Sequence, residues 1–289
     1  KPLLDAGAEV ACFFPIKISF LKKRLNYRNH RKILVTDGRK GFVGGINLGD
    51  EYVGGNARLG FWRDTHLELE GDAVYGLQEV FLKDWELATG RQVPDDPAYF
   101  PEHVCAGSEP VQIVDGGPGG RTGSIHDKVF SLLSAANERI WITTPYFIPS
   151  AAVAMALHDA ARSGVDVRLI IPSVPDSRLV HWATLSYVEE LLQSGVRVWQ
   201  YQKGFVHAKT IVVDRMAAVV GTANMDLRSF FSNFEINAHL YHPDAIAAVE
   251  ADFLNDLNDS TEMRVAAMRK RSRAQRGMET LARLLSPLL

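Results

Sequence analysis

The sequence has only two cysteines in 289 residues, Cys12 and Cys105, with no Cys-x-x-Cys pair and no set of partners at metal-binding spacing. A disulfide framework or a structural zinc site needs several such residues, so both are excluded. The two thiols are read as unpaired core residues. No apolar run approaches the roughly 18 to 20 residues that cross a bilayer as a helix. Neither sign of charge is in excess, since 32 Lys and Arg stand against 34 Asp and Glu for a net −2. Bulk electrostatics therefore do not favour a polyanion, and no nucleic-acid partner is expected. At 46% hydrophobic and 23% charged, the composition is that of a globular protein with one large or two modest cores.

What the chain does contain is an internal repeat. Leu3-Leu4-Asp5-Ala6-Gly7-Ala8-Glu9-Val10 echoes Leu191-Leu192-Gln193-Ser194-Gly195-Val196-Arg197-Val198. Each reads as a helix end, a glycine stop and a strand, which in the first copy predicts a helix tail over 1–6 and a strand over 8–14. Next, His30-Arg31-Lys32-Ile33-Leu34-Val35-Thr36-Asp37 matches His207-Ala208-Lys209-Thr210-Ile211-Val212-Val213-Asp214. A second short strand follows in each copy, ending in Gly44-Gly45-Ile46-Asn47 or Gly221-Thr222-Ala223-Asn224. Further on, Trp62-Arg63-Asp64-Thr65 aligns with Asn233-Phe234-Glu235-Ile236, so an acid recurs at Asp64 and Glu235.

Two copies of one domain are present. The second has a lead-in of helix 125–137, strand 139–144, helix 151–163 and strand 165–171, with no counterpart ahead of Lys1. The first copy is accordingly expected to lack roughly sixty to seventy residues. The predicted fold class is α/β, with two repeated domains of mixed sheet flanked by helices. The expected domains are 1–92 and 124–289. Between them, 93–123 carries Pro94, Pro97, Pro101, Pro110 and Pro118 and reads as a linker.

In each motif the His and Lys are two apart in an extended segment, so both side chains leave the same face. A neutral imidazole nitrogen can attack phosphorus or protonate a leaving alcohol, while an adjacent ammonium holds the non-bridging oxygens. A duplicated half-site supplies a separate histidine for each side of an in-line displacement. One His-x-Lys is common by chance. Two in register, each with an Asp five residues after the Lys and then a small-residue turn and Asn, are not. Asp37 and Asp214 end β-rich runs and have a structural reading beside the catalytic one. Asp64 and Glu235 are placed to accept a histidine N–H and fix its tautomer.

The twice-occurring HxKxxxxD pattern resembles the phospholipase D superfamily. The words Asn29-His30-Arg31-Lys32, Gly41-Phe42-Val43-Gly44-Gly45-Ile46-Asn47, Trp62-Arg63-Asp64-Thr65-His66, Thr144-Pro145-Tyr146-Phe147-Ile148-Pro149 and Gly221-Thr222-Ala223-Asn224-Met225-Asp226 are similar to bacterial cardiolipin synthases. The resemblance implies transfer of a phosphatidyl group from one phosphatidylglycerol to another, giving cardiolipin and glycerol through a phosphohistidine, with no metal and no cofactor. It assigns His30 as nucleophile, His207 as general acid and then base, and Lys32, Lys209, Asn47 and Asn224 as ligands of the phosphoryl oxygens. Asp37 and Asp214 enter as the motif acids. It also implies anchoring in the inner (cytoplasmic) membrane through helices preceding this chain. Phospholipase D hydrolysis and a nuclease of the same superfamily are the alternatives, the nuclease disfavoured by the charge balance.

Two basic, apolar stretches read as surfaces for anionic membrane lipids. One holds Lys17, Lys22, Lys23, Arg24 and Arg28 with Phe14, Phe20 and Leu21. The other holds Arg264, Arg269, Lys270, Arg271, Arg273 and Arg276 ahead of Leu281, Leu284, Leu285, Leu288 and Leu289.

Overall fold

The computed structural model describes residues 2–13, 27–54, 58–118 and 123–288. The cluster from Phe14 to Arg24 lies outside the described residues. The first copy contributes α1 (Pro2–Asp5), β1 (Arg28–Asn29), β2 (Ile33–Thr36), β3 (Lys40–Gly44), β4 (Phe61–Arg63), β5 (His66–Glu70) and α2 (Ala73–Thr89). A further strand, β6 (Val111–Gly116), precedes α3 (Ser124–Ser134), β7 (Arg139–Thr143), β8 (Phe147–Ile148), α4 (Ala151–Arg162), β9 (Asp166–Pro172), α5 (Arg178–Ser194) and β10 (Arg197–Tyr201). Then come β11 (Gly204–Val206), β12 (Thr210–Val213), β13 (Ala217–Gly221), β14 (Met225–Asp226), α6 (Leu227–Phe231), β15 (Asn233–Leu240), α7 (Pro243–Asn258), β16 (Ser260–Glu262), α8 (Val265–Arg269) and α9 (Arg273–Leu284).

The main sheet runs β1-β15-β13-β12-β7-β9-β10-β16, with β6 also on β15. Its parallel part, β7-β9-β10, follows from the strand–helix alternation, because each return passes through a helix. Its antiparallel part is built by the β12–β13 hairpin and β15. The central strands are apolar on both faces, as a sheet covered on both sides requires. Ile140, Ile142, Val167, Leu169, Ile211 and Val213 pack with Leu133 of α3, Leu157 of α4 and Val188 of α5. Their alternates Trp141, Ile170, Val212 and Val220 pack with Val249 and Phe253 of α7.

The first copy has a smaller antiparallel sheet, β2-β3-β5. It does not stand alone. Val43 and, from α2, Leu77 and Val80 share a core with Ile236 and Ala238 of β15. Three expectations are corrected. Residues 8–13 form no strand: the equivalent β10 lies between β9 and β16, whereas no strand flanks 8–13 among the described residues. The 93–123 segment is not a linker throughout, because Val111–Gly116 pairs with β15 over Val111↔Leu240 to Gly116↔Glu235. Its backbone closes an edge of β15 that would otherwise be open. Cys12 and Cys105 are unpaired, but both are exposed rather than in a core.

The motif aspartates belong to the hairpin loops. Thr36 pairs with Lys40 and Val213 with Ala217, so each hairpin turns through three residues. Asp37 (φ 52°) and Asp214 (φ 51°) take the left-handed conformation that opens the turn, which Asp tolerates better than most residues. Both therefore sit at the end of the strand away from the histidine, which corrects their place among the catalytic groups. They differ in what they hold. The Asp214 carboxylate accepts the backbone N–H groups of Asn137, Glu138 and Arg139 at 2.9, 2.9 and 2.8 Å, tying the loop to the start of β7, whereas Asp37 is exposed. Asp214→Ala is expected to cost about 2 to 3 kcal/mol in urea unfolding, and Asp37→Ala under about 1 kcal/mol. Equal costs would refute the distinction.

Candidate active site

The strand leading to each histidine is paired with the strand leading to the other copy's acid. Arg28 and Asn29 run parallel to Asn233 and Phe234, and the His30 N–H donates to Phe234 O at 2.9 Å. Gly204 to Val206 run parallel to Phe61 to Arg63, and the His207 N–H donates to Arg63 O at 2.6 Å. Continuing either register by one residue sets His30 opposite Glu235 and His207 opposite Asp64. The side chains meet accordingly. His30 Nδ1 lies 2.9 Å from both Glu235 carboxylate oxygens, and His207 Nδ1 lies 2.8 Å from Asp64 Oδ2. The acids do orient the histidines, but each serves the motif of the other copy.

With Nδ1–H given to a carboxylate, Nε2 is the nitrogen each ring keeps for a ligand. Glu235 is fully buried, and Asp64 is 2% exposed in its side chain. Burial raises both acids, but hydrogen bonds from the paired histidines and nearby lysine charge outweigh it and hold both below the usual carboxylate range. His207 is deeper than His30, at 8% against 29% side-chain exposure. Burial, reinforced by the Lys209 charge, pushes the His207 imidazole down to about 4 against the Asp64 interaction that raises it. The ring is neutral in the free site.

Lys32 and Lys209 each donate to the carbonyl of their own histidine, at 2.6 and 2.5 Å. Burial lowers Lys32 to about 8, although Glu235 and Asp64 pull it up. It lowers Lys209 to about 7, with Asp64 opposing and the Lys32 charge assisting. Each lysine responds to the acids of both copies, and Lys32 acts on Lys209 and His207, so the two half-sites are one electrostatic unit. Asn224 is buried, but its amide Nδ2 donates to Asp226 at 3.1 Å, which also caps α6. The second Nδ2 hydrogen is the donor that this contact leaves for a phosphoryl oxygen. Asn47 reaches the site through its backbone, beside the Tyr52 hydroxyl.

Three groups at the site had no signal in the motifs. Arg31, between His30 and Lys32, donates to Glu235 O at 3.1 Å and pairs with Asp84 and Asp115 at 2.5 and 2.9 Å. Arg63 pairs with Asp256 of α7 at 2.8 Å and donates to Asp64 O. These arginines clamp the two exchanged pairings. Tyr52, on a short 3₁₀ turn (Asp50–Val53), places its hydroxyl 3.0 Å from Asp64 Oδ2 and from His207 Nδ1. A residue's arrival from a loop leaves no periodicity to detect.

The duplicated His-x-Lys hairpins, with their acids exchanged and their charges acting on one another, form one site. The family model described as "Cardiolipin synthase, PLD-like domain" matches residues 129–257. Cardiolipin synthase 2 of Bacillus anthracis is 48% identical across the whole of this chain, and the major cardiolipin synthase of Bacillus subtilis is 44% identical, also across the whole. The chain spans 56% and 60% of their lengths. The crystal structure of phosphatidylserine synthase from Haemophilus influenzae shares the fold, with a TM-score of 0.69 at 15% identity over 91% of this chain and 71% of that one. Over its whole length the chain is thus similar to bacterial cardiolipin synthases, and residues 129–257 match the PLD-like domain described for them.

The lowered lysines give the site a pH signature. Each carries its charge only below its depressed value, so anion stabilisation is present below about 7 to 8 and lost above. The kcat/KM for a phosphodiester, which reports the free enzyme, should therefore fall as pH rises through that window. Lys209→Arg, whose guanidinium stays charged, should leave only the limb near 8. A profile flat to pH 9 in the unmodified protein would contradict this electrostatic reading.

Proposed function

We propose that the protein transfers a phosphatidyl group from one phosphatidylglycerol to a hydroxyl of a second, forming cardiolipin and releasing glycerol. The observation that carries the proposal is the pair of His–carboxylate couples joined by exchanged strand pairing, each with a lysine on the same strand face whose charge is felt by the other half-site. His30, the more accessible ring, attacks phosphorus through Nε2 as the bond to the glycerol oxygen breaks, and His207 protonates that oxygen. The second phosphatidylglycerol then attacks the His30 phosphoramidate, its hydroxyl proton passes to His207, and the phosphorus–nitrogen bond breaks. Lys32 and Lys209 hold the non-bridging oxygens as charge builds, and Asn47 and Asn224 border them. His207 must gain its proton when substrate binds. A phosphodiester anion beside the ring raises its proton affinity, which couples protonation to binding.

Anionic bilayer lipid is the proposed surface partner, and the inner membrane the proposed location. No helix among the described residues is long and apolar enough to cross a membrane. The carboxyl-terminal helix offers an interfacial contact instead. Ala282 of α9 packs with Ile148 and Ala183, while Met278, Leu281, Leu284, Leu285 and Leu288 are 41, 53, 74, 37 and 69% exposed. Arg264, Arg269, Lys270, Arg273 and Arg276 are exposed beside them, a combination suited to acidic head groups, whereas Arg271 of the same stretch turns inward to pair with Glu189 and Glu279 and is corrected out of that surface.

Two measurements test the reading. The intact protein, given phosphatidylglycerol in mixed micelles with EDTA, should yield cardiolipin and glycerol, with product reduced at least about 1000-fold by His30→Ala or His207→Ala. Phosphatidic acid alone would make it a hydrolase. Phosphorus label trapped by denaturation at alkaline pH, where a phosphohistidine survives, should map to the His30 peptide; label on His207 reverses the assignment. Second, Leu281→Asp with Leu284→Asp should reduce flotation with phosphatidylglycerol-containing vesicles several-fold. Unchanged flotation would remove α9 from the membrane contact.

A further inference from the structure

The two His–acid couples are alike in geometry but not in what supports the acid. Glu235 receives the Thr222 hydroxyl at 2.5 Å, and Thr222 is fully buried at the end of β13. The repeat sets Gly45 where Thr222 stands. No side chain fits there, because a Cβ on residue 45 would lie 2.0 Å from Asp64 Oδ1. Aspartate is one methylene shorter than glutamate, and to reach His207 its carboxylate occupies the space that Thr222 fills in the other copy. The hairpin of the first copy therefore cannot supply a hydroxyl to its acid. Tyr52 does, from the 3₁₀ turn that follows. Its ring is held 5.3 Å from Trp62 and edge-on to His207 at 6.3 Å, between centroids.

We propose that Tyr52 is the positioning residue of His207: its hydroxyl replaces the missing threonine at Asp64 and, by touching the imidazole as well as the acid, makes the two histidines unequal. Thr222 contacts Glu235 and backbone of β15, and no hydrogen bond joins it to His30 among the described residues. The Tyr52 oxygen lies within 3.0 Å of His207 Nδ1, so the Nδ1–H has two acceptors and the tautomer that keeps the Nε2 lone pair for a ligand is fixed. The single phenolic proton has two destinations, Asp64 Oδ2 at 3.0 Å and Gly45 O at 3.1 Å. Donated to Asp64, it withdraws charge from the carboxylate and weakens the hold on an imidazolium proton. Turned to Gly45 O, it leaves the carboxylate at full strength. A hydroxyl rotation thus moves His207 between proton release and proton capture, the two tasks assigned to it by the proposed transfer, on which this catalytic consequence rests. The charged groups acting on His207 are Asp64, Lys209 and Lys32, and His66 lies beside Asp64 and Lys32. All of these residues remain in a variant without the phenol oxygen, and Asp64 loses only the hydrogen bond under test.

The test needs no substrate for its first readout. Imidazole ¹⁵N NMR of the intact protein follows the titration of His207 in the unmodified protein, in Tyr52→Phe and in Thr222→Val. Tyr52→Phe should raise the His207 midpoint by about half to one pH unit, while Thr222→Val leaves it where it is. Incorporation of 3,5-difluorotyrosine at position 52, a stronger donor of similar size, should lower the His207 midpoint and serves as the readout if the Phe variant does not fold. Coincident His207 midpoints, or a fall in Tyr52→Phe, overturn the assignment. With phosphatidylglycerol, Tyr52→Phe should lower kcat about tenfold with KM changed less than twofold. The predicted NMR shifts without any cardiolipin formed would keep the role of Tyr52 and dismiss the transfer reaction.

Discussion

The site depends on one constraint, the exchanged parallel pairing of two short strands with the segments leading to the opposite acids. A parallel pair fixes register through the backbone, so aligning Arg28-Asn29 with Asn233-Phe234 and Phe205-Val206 with Trp62-Arg63 determines which residue each histidine faces. Neither copy contains a complete His–acid couple. The duplication therefore does more than provide two histidines: it makes each half-site unable to orient its own imidazole without the other. The shared core of Val43, Leu77, Ile236 and Ala238 and the clamps at Arg31 and Arg63 act on the same junction.

That junction buries charge. Glu235, Asp64 and Lys209 are nearly or wholly inaccessible, and burial of this kind is costly unless each charge has a partner. Here the partners alternate: carboxylate to imidazole, ammonium to backbone carbonyl, lysine to the acids of both copies. The consequence is a set of groups poised away from their ordinary protonation, with a neutral His207 and ammonium groups close to losing their protons. The same burial that weakens these charges in the empty site strengthens their attraction for an anion that displaces water.

The repeat, the alternation of strand and helix from α3 to β10, and the identities of His30, Lys32, His207, Lys209, Asp64 and Glu235 were legible because each depends on local spacing. Period-two alternation, glycine stops and a duplicated word survive in one dimension. Asp37 and Asp214 were misassigned because a motif reports proximity in sequence, and a strand four residues long carries an aspartate away from the histidine that precedes it. Residues 8–13 read as a strand for a similar reason: β propensity is local, but a strand exists only beside another. Tyr52 and the clamps at Arg31 and Arg63 left no trace, since an arginine inside a motif or a tyrosine on a turn has no period.

By itself, then, the sequence determined the chemistry on offer, because residue types two apart on an extended chain must share a face whatever surrounds them. It also determined that two acids would serve two histidines. Which acid serves which was decided only by tertiary structure, because the choice is set by hydrogen bonds between strands distant in sequence, and their register is invisible until the two sheets pack. The depth of His207 and the replacement of a threonine by Tyr52 were decided there too, since burial and the filling of a space over Gly45 are properties of the assembled junction and not of any segment in it.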